Sequence, residues 1–391
     1  MSKINELIKE MCPNGVEYKT ISSFSKVLRG KRLTTKELNF EENYPVYHGG
    51  LDPLGYYNKY NRSSDTVMII NVGASAGVVG YSKNNFWSSD GCYCLEHNDL
   101  FINRFLYHYL KNNEEYFIGR VRKAGIPTLD RKVIEKLKVP VPPLEAQEEI
   151  VRILDKFGEL EAELEAELEA RKSQYEFWRK KIFDNSNGKV TKLADLCIIG
   201  DGLHGTPHYV DESEYYFING NNLNNGKITY DNKTKKVSKT DFDNQSILLN
   251  DNTLLMSING TIGKVSYYNN EKIMLGKSVA YFNIKDKNRL SKKYLYYLLQ
   301  SPNSIKYYQD SLTGSTILNL GLKSLREFEV QIPSIDEQNR VANILERFDK
   351  LINDITVGIP AEIELRRKQY EYYRNKLLSF EELYYEWFIR W

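Results

Sequence analysis

One stretch occurs twice in this chain, and that repeat limits the possible fold more than any other feature. Residues 126–183 run through VPVPPLEAQEEIVRILDKF and an ELEA tract to QYEFWRKKIF, and residues 317–380 repeat the plan as VQIPSIDEQNRVANILERF and RRKQYEYYRNKLLSF. Pro142, Gln147 and Phe157 are answered 191 residues later by Pro333, Gln338 and Phe348. Arg171, Gln174, Tyr175, Glu176 and Arg179 are answered 195 residues later by Arg366, Gln369, Tyr370, Glu371 and Arg374. The second copy is therefore four residues longer between the two blocks. A repeat of this length means two copies of one structural unit.

Each copy reads as a long helical arm. Prolines at 140, 142 and 143, and at 333, set an extended lead-in, because proline fixes its own φ and restricts the residue before it. Ile150, Leu154, Phe157, Leu160, Leu164 and Leu168 then recur at three- and four-residue spacing, one face of a helix. Val341, Ile344, Leu345, Phe348, Leu351, Ile352 and Ile355 do the same, until Gly358 and Pro360 predict a break with a restart at Ala361. An arm of about forty residues spans roughly 60 Å at about 1.5 Å per residue. Its apolar stripe needs cover, and the other arm, antiparallel as a two-helix coiled coil, supplies it.

The 391 residues suffice for two or three domains. The four cysteines (Cys12, Cys92, Cys94, Cys197) are too few and scattered for a disulfide framework, which points to a reducing cytoplasm. The Cys92/Cys94 spacing reads as alternate faces of a strand rather than as a zinc knuckle. No signal pattern or run of 18 apolar residues is present, so secretion and membrane spanning are not expected. The net charge of +2 conceals segregation. Residues 145–170 hold ten acids against two bases, while residues 120–138 hold seven bases and two acids. Basic domains beside an acidic arm suit a chain that binds a polyanion with its domains and protein with its arms.

In chain order, Ile4, Leu7, Ile8 and Met11 predict a short amphipathic helix closed by Pro13-Asn14-Gly15. A globular domain precedes each arm. Residues 66–81 (TVMIINVGASAGVVGY) and 253–268 (TLLMSINGTIGKVSYY) each read as strand, glycine turn and strand. Phe105, Leu106, Tyr109 and Leu110, then Tyr294, Leu295, Leu298 and Leu299, predict core helices. The plan is domain, arm, domain, arm, with halves expected to be related by a pseudo-twofold axis.

Catalytic signatures are missing. There is no glycine-rich cofactor turn with an Asn/Asp-Pro-Pro-aromatic loop, no Walker loop and no HExxH. His204 and His208 stand four apart, but Gly205 and Pro207 between them argue against one helical face. The acids of the first arm alternate with leucine and alanine as a solvated face. The chain is read as a non-catalytic subunit without a catalytic, cofactor or metal site of its own. Basic and amide side chains that can bind phosphate or read base edges occur in both domains. The DNA-contact candidates are Lys31, Arg32, His48, Lys83, Arg120, Arg122 and Lys123 in the first, and His204, His208, Asn222, Lys233, Lys235, Lys236, Lys264 and Lys277 in the second. Arm or partner-docking candidates are Gln147, Ile150, Leu154, Phe157, Leu160, Leu164, Leu168, Tyr175 and Trp178, with Gln338, Val341, Leu345, Phe348, Tyr370 and Tyr373.

Two unlike domains, each followed by a helical arm opening IPxxxEQ, resemble the specificity subunit of a type I restriction–modification system. The resemblance rests on VPVPPLEAQEEIVRILDKF, IPSIDEQNRVANILERFDKL, RKSQYEFWRKKIF and RRKQYEYYRNKLL, and GDGLHGTPHY at 200–209 is similar to the opening of many target-recognition domains. The first arm departs with VPPLEAQ for IPSIDEQ, and the tail of Tyr384, Tyr385, Trp387, Phe388 and Trp391 has no family counterpart. The resemblance implies an α+β chain with two β-rich target-recognition domains separated by two antiparallel coiled-coil arms. The expected boundaries are 1–143 and 186–333 for the recognition domains, 144–185 and 334–380 for the arms, and 381–391 for the tail. It implies that each domain reads half of a bipartite, asymmetric double-stranded DNA target. It further implies that two methyltransferase subunits dock on the arms and methylate flipped adenines, and that translocase–endonuclease subunits join them. S-adenosylmethionine, ATP and magnesium are expected on those partners and not on this cytoplasmic chain. A coiled-coil adaptor without a DNA role, or an atypical methyltransferase or nuclease, is the alternative. ELEA stands three times in tandem over 159–170. Each copy adds about 6 Å of helix against about 3.4 Å per base pair, so the tract is expected to act as a ruler for the gap.

Overall fold

The computed structural model describes residues 6, 9–184, 187–245, 247–313 and 318–382. Ile4, Leu7, Ile8 and the aromatic tail lie outside them; Met11 ends a helical turn. The chain divides into two compact units, Met1–Glu165 with Glu362–Trp391, and Ala166–Ala361. No described helix is long and apolar enough to cross a membrane.

The first unit is built on a four-stranded antiparallel sheet in the spatial order Val27–Arg29, Cys92–Leu95, Thr66–Ile70, Val79–Ser82. Its second strand pair is the hairpin expected from residues 66–81. TVMII is buried at every position, as a continuous apolar run requires. Cys92 and Cys94 sit two apart, hence on one face of their strand and not on alternate faces, and both are fully buried against Met68, Ile70 and Phe86. A parallel pair, Tyr44–Tyr47 with Trp87–Ser88, lies beside this sheet, and Tyr18–Thr20 pairs with Lys138–Pro140 at the lead-in to the arm. Helix α1 (Asn103–Asn112) covers the sheet with Phe105, Leu106, Tyr109 and Leu110 in the core.

The second unit repeats the central sheet, the parallel pair and the lead-in pair, and adds strands around them. Its sheet runs Cys197–Asp201, Val279–Ile284, Thr253–Ser257, Val265–Tyr267. Its parallel pair is Tyr216–Ile218 with Ile273–Leu275, its lead-in pair Lys189–Lys192 with Glu329–Ile332.

The first arm is one helix, α2 (Leu144–Asp184), 41 residues without a break. Helix α3 (Lys292–Leu299) is the second unit's counterpart of α1. The second arm is two helices, α4 (Ile335–Asn353) and α5 (Ile359–Leu377). The restart comes at Ile359, two residues before the expected Ala361. Gly358 explains the join: a Cβ there would meet the carbonyl oxygens of Lys350, Leu351 and Asp354 at 2.5–2.7 Å, so only glycine lets the chain turn back so close to the end of α4.

Each unit is closed by the start of one arm and the end of the other. In the first unit Ile150 and Leu154 of α2 share the core with Leu377 and Leu378, and Phe157 meets Tyr370 with ring centroids 6.2 Å apart. In the second, Val341 and Leu345 share the core with Tyr175 and Phe183, and Phe348 meets Tyr175 at the same 6.2 Å. Within the first unit the helices are antiparallel: Phe157 also stacks on Tyr373, while Glu161 and Glu165, further along α2, reach back to Arg367.

The glutamine of the repeated motif fixes each arm start. Gln147 accepts a hydrogen bond from the Ile102 N–H and donates to the carbonyls of Leu100 and Pro142, each at 2.9 Å. Gln338 does the same with the Ser291 N–H and the carbonyls of Arg289 and Pro333, again at 2.9 Å. Both side chains are fully buried. Buried backbone groups left unpaired cost far more than a made hydrogen bond contributes, so this residue is tightly constrained.

Candidate nucleic-acid interface

In the first unit the antiparallel register places the turn 71–78 at one end of the sheet. Chain leaving Arg29 and chain entering Cys92 lie at that same end. Three loops converge there. Gly91 makes room for two of them: a Cβ on it would lie 2.7 Å from the His48 carbonyl oxygen and 2.8 Å from a Val72 methyl. The third, residues 119–128, is pinned to the turn by Gly73 N–H to the Pro127 carbonyl (3.0 Å) and Leu129 N–H to the Asn71 carbonyl (2.9 Å). Gly77, at φ +95°, lets the turn pass the start of that loop, since a Cβ would lie 2.9 Å from the Ile118 nitrogen.

This convergence gathers most of the first domain's candidates. His48 is half-buried and turns Nδ1 toward Ser89 Oγ (3.2 Å) and Asp90 Oδ1 (3.3 Å). Arg120 lies over the Tyr116 ring at 3.8 Å and donates to that residue's carbonyl, so its position is set. Arg122 and Lys123 are exposed and make no ion pair among the described residues. Lys31 and Arg32 follow Gly30 at the same end, with the Lys31 carbonyl held by Trp87 Nε1 at 2.6 Å. Lys83 stands apart from the other candidates: it follows Ser82, which pairs with Thr66 at the opposite end of the sheet. Register decides this, and composition does not reveal it.

The second unit presents the same end of its sheet. His204 follows Asp201, Lys264 precedes Val265, and Lys277 stands just before Val279, with its N–H bound to the Leu203 carbonyl at 3.0 Å. The pin between turn and loop also recurs: Gly260 N–H to the Leu318 carbonyl (3.0 Å) and Leu320 N–H to the Ile258 carbonyl (2.9 Å). His204 and His208 line one cleft of about 530 Å³ with Asn244 and Gln245. They pair with different carboxylates, His204 Nε2 with Asp201 at 2.8 Å and His208 Nδ1 with Asp241 at 3.4 Å. Lys235 is exposed, and Lys236 lies toward the Tyr216 ring at 5.7 Å. Lys233 sits in a turn whose N–H is held by Asp231. Asn222 is a correction. It is buried, accepting from the Asn219 N–H and donating to the Thr229 carbonyl and Thr234 Oγ1, each at 3.0 Å. Both of its amide N–H donors are used within the domain.

The arm candidates divide sharply. Gln147, Ile150, Leu154, Tyr175, Gln338, Val341 and Leu345 face the cores of their own units and offer no surface to a partner, a further correction. Phe157, Leu160, Leu164, Leu168, Phe348, Tyr370 and Tyr373 are half-buried along the helix pairs. Trp178 is exposed, and beside it stands a residue that sequence reading missed: Phe177, edge to face with Trp178 at 5.4 Å and capped by Lys181. Tyr372 and Tyr373 repeat this geometry at 5.4 Å. The signal was present as an adjacent aromatic pair in both copies at the 195-residue offset.

Comparison with known proteins fits this architecture. Residues 13–170 and 185–365 match the model of the type I restriction modification DNA specificity domain. The specificity subunit of the Escherichia coli type I restriction enzyme EcoR124I/EcoR124II is 29% identical over 410 residues, covering 97% of this chain and 98% of its own. A putative type I restriction enzyme specificity subunit of Haemophilus influenzae is 29% identical over 383 residues, covering 93% and 96%. The crystal structure of the type I restriction-modification S subunit from M. genitalium superposes with a TM-score of 0.58 at 17% identity, covering 93% of this chain and 96% of that one. With two matching domains that together span most of its length, the chain belongs to the type I restriction–modification DNA specificity family.

Proposed function

We propose that the two domains each read one half of a bipartite, asymmetric DNA target on behalf of partner subunits that methylate adenine and cleave. As a specificity subunit of a type I system the chain selects DNA sequence and leaves catalysis to its partners. S-adenosylmethionine, ATP and magnesium belong to those partners in this reading, and the complex works in the cytoplasm. The observation that carries the asymmetry is the pairing of one framework with two different loop sets. His48, Arg122 and Lys123 stand at the sheet end where the second unit has His204, Lys264 and Lys277. Identical scaffolds with different loop chemistry favour two unlike half-sites over a palindrome.

The exposed Phe177–Trp178 pair and, at the repeated position, the exposed Tyr372 beside the half-buried Tyr373 are proposed anchors for two methyltransferase subunits. Exposed aromatic side chains are the residue types enriched at protein interfaces.

The test is methylome mapping in cells carrying the methyltransferase partner, with and without this chain. A two-part motif with a fixed gap, present only with the chain, is expected. Unchanged methylation by an assembled complex would reject the reading. Deleting residues 163–166 extends the test to the ELEA tract. The gap is expected to shorten by roughly one to two base pairs, from about 6 Å of helix against about 3.4 Å per pair. The same gap in the deletion would refute the ruler.

A further inference from the structure

The loop 119–128 of the first unit combines two properties that are seldom found together. It is rigid, and it exposes a large aliphatic side chain at its tip. Arg122 and Thr128 exchange both backbone hydrogen bonds (2.9 and 3.1 Å), closing the loop on itself. The bonds from Gly73 and Leu129 then pin it to the adjoining turn. Thr128 Oγ1 donates to the Ile126 carbonyl at 2.9 Å, Pro127 fixes its own φ, and Gly125 turns the tip at φ +79°. Ile126, on this braced tip, is 71% exposed. Arg120, Arg122 and Lys123 precede it in the same loop, and no acid occurs from 119 to 129. An isoleucine also stands 191 residues later, at 317, although that residue lies outside the described ones.

Scattered exposed aliphatics ordinarily need no explanation. This one sits on a basic loop whose ends are joined by backbone hydrogen bonds. A basic loop selects a polyanion, and an aliphatic side chain on it finds apolar contact on duplex DNA either at a thymine methyl group or between stacked bases. We propose that Ile126 is a wedge that enters one base-pair step of the half-site read by the first domain. It partly unstacks that step while Arg122 and Lys123 hold the flanking phosphates. Wedges of this residue type give specificity through the ease of unstacking a step rather than through hydrogen bonds to its edges. The proposal rests on the DNA-reading role above, and adds a shape-read step to that half-site.

The test uses the full chain in complex with its methyltransferase. The motif is first read from the methylome with wild-type chain, then with Ile126→Ala, Ile126→Leu and Lys123→Ala. Duplexes carrying the motif are then prepared with a single 2-aminopurine at successive positions, leaving out the methylated adenine, whose own extrusion would fluoresce. A rise confined to one step is expected with wild type and Ile126→Leu, and its loss with Ile126→Ala. Ile126→Ala should also bind about tenfold more weakly, the order of one lost base-step contact, and relax the motif at that step alone. Lys123→Ala should keep the fluorescence and flatten the salt dependence of binding. Since Ile126 is mostly exposed, its alanine variant should melt with wild type. An Ile126→Ala complex with the wild-type motif, affinity and fluorescence overturns the wedge and leaves the specificity reading intact. A wild-type complex that imposes no motif overturns the specificity reading, and the wedge with it.

Discussion

The two units share a framework but fill it differently where the arm start meets the first helix of each domain. In the first, Asp155 of α2 receives both Arg104 and His108 from α1, each at 2.8 Å. In the second, Glu346 of α4 receives Lys293 of α3 at 2.8 Å, and the residue aligned with His108 is Tyr297, which is buried in an aromatic cluster. Burial holds His108 far below the ordinary histidine range, at about 4, because the charged form is desolvated and the Asp155 hydrogen bond only partly offsets this. Its Nδ1 is buried with no partner. The repeat therefore conserves an ion pair and its distance, while only one copy carries a buried histidine there. Duplicated scaffolds diverge at interior positions as well as on recognition loops.

The strongest way to break this comparison is at the two glutamines. Gln147→Ala and Gln338→Ala each strand three backbone groups, so each is expected to cost on the order of 3 kcal/mol or more of unfolding free energy, read from denaturant midpoints. Strongly unequal losses would mean that the two arm starts are not energetically equivalent. Next is acid. A His108 that resists protonation when folded makes stability fully present above the unfolded value of 6.5 and progressively lost as pH falls toward about 4. The loss has an upper bound of about 3 kcal/mol. His108→Leu should flatten that acid limb, whereas Tyr297→Phe should leave it untouched. A wild-type limb in the leucine variant would sink the account. Phe157→Ala and Phe348→Ala should each cost about 2 kcal/mol, because both rings are half-buried against an arm-end tyrosine. Smallest is Arg367→Ala, whose exposed pairs with Glu161 and Glu165 are screened by salt. Its melting temperature should match wild type at high ionic strength.

Much of this was legible in the sequence. The arms, both hairpins, the core helices and the weight on Gln147 and Gln338 follow from periodicity, punctuation and the repeat itself. What was not legible depended on register or on bonds between distant segments. Lys83 was grouped with Arg122 on composition, and the strand register sends it to the other end of the sheet. Asn222 was read as a base reader on residue type, and three local hydrogen bonds hold it within the domain. The convergence of His48, the turn at 71–78 and the loop at 119–128 is set by backbone bonds across tens of residues, together with the missing Cβ of Gly91.

The way each unit borrows from both arms sets an order of events on the ribosome. The second unit is one continuous stretch, Ala166–Ala361, whereas the first needs Leu377, Leu378 and Phe380 in its core and a bridge from Val16 to Glu382. The part synthesised first is thus the part completed last. Roughly 200 residues must be translated in between, about 10–40 s at 5–20 residues per second. Throughout that interval the apolar face of Ile150 and Leu154 waits without its closing helix, the kind of transiently exposed surface that favours aggregation. A chain ending before Glu362 would carry a finished second unit tethered to an unfinished first.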